Sequence, residues 1–168
     1  SILQDPSLDD NCKLEVITSL SSDEKKMELL ENFSSMEARI DILRSIHTLS
    51  DEVILDELSR VSEIPGNSSL VSRVYLINRL STDEKRLEAM QEYMPIEEIK
   101  GDPRYLINVG RVIRHLSSDD KKLELLDMIP SDDKDSYDRD EYKYWYNRKK
   151  IDIICSLSSD DKKIALLD

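Results

Sequence analysis

The sequence predicts an all-α fold, a right-handed α-solenoid of about five stacked helical hairpins running through residues 1–168. Three observations carry this expectation. One stretch is written four times, as "SLSSDEKKMELL", "RLSTDEKRLEAM", "HLSSDDKKLELL" and "SLSSDDKKIALL". Apolar residues flank each copy at helical spacing. The chain of 168 residues holds only three Gly and five Pro, too little punctuation for a sheet-rich fold.

Each copy can be anchored on the leucine before its serines: Leu20, Leu80, Leu116 and Leu157, with Leu49 in "IHTLSDEVILDEL" as a degenerate copy. Successive anchors lie 29, 31, 36 and 41 residues apart, a period typical of stacked supersecondary units. Three residues before every anchor stands isoleucine: Ile17, Ile46, Ile77, Ile113 and Ile154. With Val16, Leu76, Val112 and Ile153 one position earlier, these residues make one apolar face of a first helix, helix A. After each anchor, Ser21 and Glu24, Ser81 and Glu84, Ser117 and Asp120, and Ser158 and Asp161 have capping-box spacing. They predict the start of a second helix, helix B. Its buried stripe includes Met27 and Leu30, Leu87 and Met90, Leu123 and Leu126, and Ile164 and Leu167.

Helix B is expected to stop before Pro65, Pro95 and Pro130, because a residue preceding proline is pushed out of the helical region. Asp102 and Pro103 read as N-cap and first helical residue of a following helix A. One hairpin cannot bury both of its apolar stripes, whereas a stack of hairpins buries them in one core.

The pattern resembles degenerate α-solenoid repeats of the HEAT-like class. That resemblance implies protein binding or scaffolding. The "LSSDEKK" copies also resemble repeat segments in large effector proteins of intracellular bacteria, which implies delivery into a host cell cytoplasm. The chain begins at Ser1 and stops at Asp168 within a copy, and reads as a fragment of a longer protein.

A formal charge of −12 repels phosphate and anionic lipid, so neither nucleic acid nor a membrane surface is expected as a ligand. No apolar run reaches the roughly 18 residues of a membrane span. Cys12 and Cys155 lie in apolar helical patterns and read as reduced core thiols, in keeping with a reducing, cytoplasmic compartment. No catalytic motif of the phosphate-loop, nucleophile-elbow or zinc-helix type is present, so no enzyme, cofactor or metal is expected. His47 and His115 read as helix C-terminal residues. The acidic run around Asp133 and Asp135 lacks the glycine and alternation of a calcium loop. Lys25, Lys85 and Lys121 each precede a glutamate by three residues, which predicts exposed ion pairs within helix B.

Five of the nine aromatic residues fall between Tyr137 and Tyr146, on the longest insert. Helical spacing assigns Tyr142, Trp145 and Tyr146 mainly to packing. Tyr137 and Tyr144 are the expected partner-binding pair, with Asp138 and Asp140 favouring a basic rim on a protein partner. Two alternatives remain at this level: an acidic decoy that binds a basic protein or mimics nucleic acid, and a positioning arm of an enzyme whose catalytic domain lies elsewhere.

Overall fold

In each of the four copies an aspartate follows the Ser-Ser or Ser-Thr pair, and in the structure that aspartate (Asp23, Asp83, Asp119 and Asp160) opens a helix. The computed structural model describes residues 5, 7–96, 102–129 and 139–166, without the side chains of Asn67, Arg139, Glu141 and Tyr142. Tyr137 and Asp138 lie outside the described residues. Among the described residues there are ten α-helices and no strand. The chain divides after Ser50 into two compact units. The first holds α1 (Asp10–Thr18), α2 (Asp23–Leu30) and α3 (Met36–Ser45). The second holds α4 (Asp51–Ser62), α5 (Asn67–Arg79), α6 (Asp83–Tyr93), α7 (Pro103–His115), α8 (Asp119–Met128), α9 (Arg139–Cys155) and α10 (Asp160–Ala165).

In the first unit, α3 packs on both α1 and α2. In the second, α5 packs on α7 and α7 on α9, while α4, α6 and α8 each pack on neighbours of that series. The apolar face of α7 shows why. Leu106, Val109, Val112 and Ile113 are all fully buried, and each such side chain contributes about 1.5–3 kcal/mol by leaving water. Ile17, Ile46, Ile77 and Ile113 are buried as their recurrence predicts, but Ile154 is only half-buried. Gly110 lets α9 come close, since a Cβ there would stand 3.3 Å from the Lys149 side chain. Asp102 caps α7 as expected, accepting from the Arg104 N–H at 2.9 Å, with Pro103 at the first turn.

The caps of the second helices sit one residue later than the spacing predicts. Ser22, Thr82, Ser118 and Ser159 are the N-caps, and their hydroxyls accept from the backbone N–H groups of Lys25, Lys85, Lys121 and Lys162 at 3.2–3.3 Å. The third helical residue is therefore a lysine, and no capping box forms. The first serine of each pair has another task. In the last three copies its N–H donates to an acid that opens an earlier helix. Ser81 donates to Asp51 at 2.9 Å, Ser117 to Asp83 at 2.7 Å and Ser158 to Asp119 at 2.9 Å. The second N–H of the turn often joins in, Ser118 to Asp83 at 2.9 Å and Ser159 to Asp119 at 3.0 Å. In the first unit Asp23 takes the His47 and Thr48 N–H groups at 3.0 and 3.2 Å. This joint closes at Ile46, the extended residue that ends α3, and not at Leu49, which is half-buried.

So the repeated stretch divides its labour. The first serine meets the acid of the previous joint, the second caps its own helix, and the acid after it receives the next turn. The lysines are also used across joints. Lys85 pairs with Asp51 at 2.6 Å, Lys162 with Asp120 at 2.7 Å, and Lys121 with Glu84. These replace the expected pairs with Glu88 and Glu124. Lys26 and Lys122 are buried, and their ammonium groups donate to the carbonyls of Ser45 and Ser156 at 2.7 Å. A lysine on this face reads as solvated in the sequence, yet its stem packs and its head satisfies a helix C-terminus.

Two consequences can be measured. Ser118→Ala is expected to cost about 0.5–2 kcal/mol of stability, the usual worth of an N-cap. Ser117→Ala should cost far less, because Ser117 contributes its N–H and is exposed. Equal losses in denaturant melts would contradict this register. The second consequence concerns acid. The Ser158 N–H, working against burial and helped by the Ser158 hydroxyl, the Ser159 N–H and Lys122, holds Asp119 at about 2, below its ordinary 3.8. Lys85 and the Ser81 hydroxyl, again against burial, hold Asp51 at about 2. Unfolded, both groups bind protons first. Their stabilisation is complete above the ordinary value and is lost as the pH falls from about 4 toward about 2. Melts at stepped pH should show that slope, and Asp51→Asn with Asp119→Asn should flatten it.

Candidate functional site: a groove between two helices

On α6, Leu87, Met90 and Gln91 share one face. On α8, Lys121, Glu124, Leu125 and Met128 do the same at spacings of three and four. The two faces turn toward a common groove, which Ile96 also lines. Its volume is about 220 Å³. The walls are mostly apolar. Met90 and Ile96 are buried, Leu87 and Leu125 half-buried, and Met128 is 51% exposed at the mouth. Gln91, Lys121 and Glu124 supply the polar groups of the lining. The Lys121 ammonium is held by Glu84, which leaves Glu124 as the acid at the groove. Methionine has three rotatable bonds and a polarizable sulfur, so Met90 and Met128 can reshape the walls around an apolar side chain.

Sequence reasoning placed Leu87 and Met90 in the core stripe and passed over Met128. The signal was present. Met128 continues the stripe Lys121, Glu124, Leu125 by three more residues. Only the packing of α6 beside α8 reveals that two such stripes face each other.

The aromatic segment is partly described. Tyr144 is 63% exposed on α9, as expected for a contact residue, and Asp140 is exposed on the same helix. The Tyr144 ring meets the Trp145 ring edge-on, with centroids 5.4 Å apart. Trp145 and Tyr146 are half-buried, so they fill the surface of α9 more than a core. The structure does not bring Tyr144 or Asp140 into the groove; they stand on a different helix from its lining.

Both cysteines are free and exposed, which corrects the expectation of core thiols. The apolar runs around them face away from the thiol: Ile17 and Ile153 are buried on α1 and α9 while Cys12 and Cys155 fall on the outer side. His115 lies in the last turn of α7, its Nδ1 2.9 Å from the Arg111 carbonyl, and His47 lies just beyond α3 beside Asp23. Among the described residues, no three His, Cys, Asp or Glu side chains are placed to hold a metal ion, and no helix is long and apolar enough to cross a membrane.

Comparison with protein families, with curated proteins and with solved structures found no match to this chain.

Proposed function

We propose that the chain is a non-catalytic protein-interaction or scaffold module, built as a right-handed α-solenoid of about five helical hairpins of the HEAT-like class. The alternation of joints and the serial packing of α5, α7 and α9 support the architecture. The observation that carries the function is the open, methionine-bearing groove between α6 and α8. Small apolar pockets with a few polar groups at the mouth are where a partner's anchor residue binds. Its occupant is a protein segment that inserts an apolar side chain between Leu87, Leu125 and Met128 and places a basic group beside Glu124. Tyr144 and Asp140 on α9 offer a second contact for a basic rim. The pairing of cap acids with lysines across the joints breaks up a uniform acidic face, which favours this reading over an acidic decoy. The free, exposed thiols suit a reducing compartment such as a host cytoplasm.

Affinity capture with the chain as bait tests the reading. Met128→Glu puts a charge at the mouth of the groove on an exposed position, so folding should be kept while the retained partner is lost. Loss with Tyr144→Ala alone would move the contact to α9. Retention by both variants would rule out the groove and the aromatic segment together.

A further inference from the structure

We infer that the outer face of α5 and α7 in the second unit, with Lys149 of α9 at its edge, is a docking surface for an acidic segment of a partner protein. The charge of this unit is sorted by helix. α4, α6 and α8 hold four acids each, whereas α5 and α7 hold none. From Lys143 onward, α9 holds one, Asp152. α5 packs on α7 and α7 on α9, so the helices poor in acid lie side by side. α7 has a helix on either flank, and its outer face is therefore not an open end of the series. Arg111, Arg114 and His115 are exposed on it.

The arginines of this face are left without carboxylates. On α6 and α8, Lys85, Arg86 and Lys121 pair with Asp51, Asp83 and Glu84. Among the described residues, neither Arg111 nor Arg114 comes within ion-pair distance of an acid; Arg111 donates to the neutral Asn108 side chain at 3.2 Å. Asp152 is the nearby acid, and it is already engaged by Lys149 at 2.7 Å and Arg148 at 3.5 Å. Lys149, against burial and with the charges of Arg148 and Arg114, holds its pKa below the usual carboxylate range. One carboxylate thus answers three cations. On α5, the Arg79 guanidinium lies over the Tyr75 ring, 6.0 Å from its centroid, which keeps the charge and adds aromatic area beside it. In a chain of charge −12, a face with surplus positive charge selects an acidic contact by complementarity. Guanidinium forks fit carboxylates bidentately. Packed helices stand about 8–10 Å apart, and carboxylates three residues apart on an extended chain are about 10 Å apart. An extended acidic segment crossing the helices can therefore place one carboxylate at Arg79 and the next at Arg111 or Arg114. A long polyphosphate is repelled by the chain as a whole, which favours a short acidic segment over nucleic acid. The face lies on other helices than the α6–α8 groove and does not depend on it.

Fluorescence polarisation of a labelled oligo-glutamate peptide, titrated with the whole chain at low salt, tests this. The wild type should bind, and its affinity should fall as salt is added. Arg111→Ala combined with Arg114→Ala should weaken binding at least about tenfold, as expected for the loss of two charge-assisted contacts. Both positions are exposed, so circular dichroism should be unchanged. Lys85→Ala removes a cation from α6 and should bind the peptide as the wild type does. In amide spectra, the peptide should move the signals of Arg111 and Arg114 and leave those of Leu87 and Leu125 in place, which separates this face from the groove. A wild-type chain that does not bind oligo-glutamate at low salt overturns the proposal. So does binding that the arginine pair leaves intact, or that Lys85→Ala weakens equally. Tighter binding of a single-stranded oligonucleotide, lost with the same two arginines, overturns it in favour of a nucleic acid.

Discussion

Ile113→Ala should lower the unfolding free energy by about 2–5 kcal/mol, the cost of a large-to-small change at a site that cannot collapse. Ile113 is fully buried on α7, among Leu106, Val109 and Val112 on the same face. Its carbonyl also receives the Leu116 N–H at 3.2 Å, the bond that ends α7 and sets up the turn. α5 and α9 both pack on α7, so neither side of the cavity is free to relax alone. Ile154→Ala makes the same chemical change at the corresponding position of α9. It should cost clearly less, because Ile154 is half-buried. Denaturant melts of the two variants check this, and equal losses would mean that burial does not set the difference.

Asp83→Ala should cost about 3 kcal/mol, a value between the loss of charged hydrogen bonds and the breaking of a buried ion pair. The carboxylate accepts from the Ser117 N–H at 2.7 Å, from the Ser118 N–H at 2.9 Å and from the Arg86 guanidinium at 2.9 Å. Burial pushes its acidity down, yet the two turn N–H groups and Arg86 hold its pKa below the usual carboxylate range. Alanine leaves two N–H groups without a partner and Arg86 without its counterion. Asp160→Ala changes the same position of the repeat where no turn is seated, and should leave stability nearly unchanged. The contrast separates a role in joining hairpins from a role in starting a helix, since both acids occupy the first position of their helices.

The helices were legible in the sequence because a 3.6-residue period survives whatever else the repeat does. Asp102 and Pro103 were legible because a cap followed by proline is a local signal. The joint was not. Two adjacent serines both suit an N-cap, and nothing local says that the first has its N–H committed to an acid some thirty-five residues earlier. The burial of Lys26 and Lys122 was not legible for the same reason, their acceptors being carbonyls at the end of another helix. At Ile46, the chain turns three residues before the leucine that the spelling marks, because Asp23 finds the His47 and Thr48 N–H groups there. Of the expected contact residues, Tyr144 and Asp140 are exposed as foreseen. The α6–α8 groove stayed hidden because it is made by two stripes, each of which reads as core when taken alone.

That the repeated acid is the joint between successive hairpins is tested most directly at the amide protons of Ser117 and Ser118. Their resonances and exchange rates at neutral pH would be compared in the wild type, Asp83→Ala and Glu84→Ala. Loss of the Asp83 carboxylate should move both protons upfield and speed their exchange, whereas Glu84→Ala, which removes only the partner of Lys121, should leave them in place. Unchanged Ser117 and Ser118 amides in folded Asp83→Ala would contradict the joint.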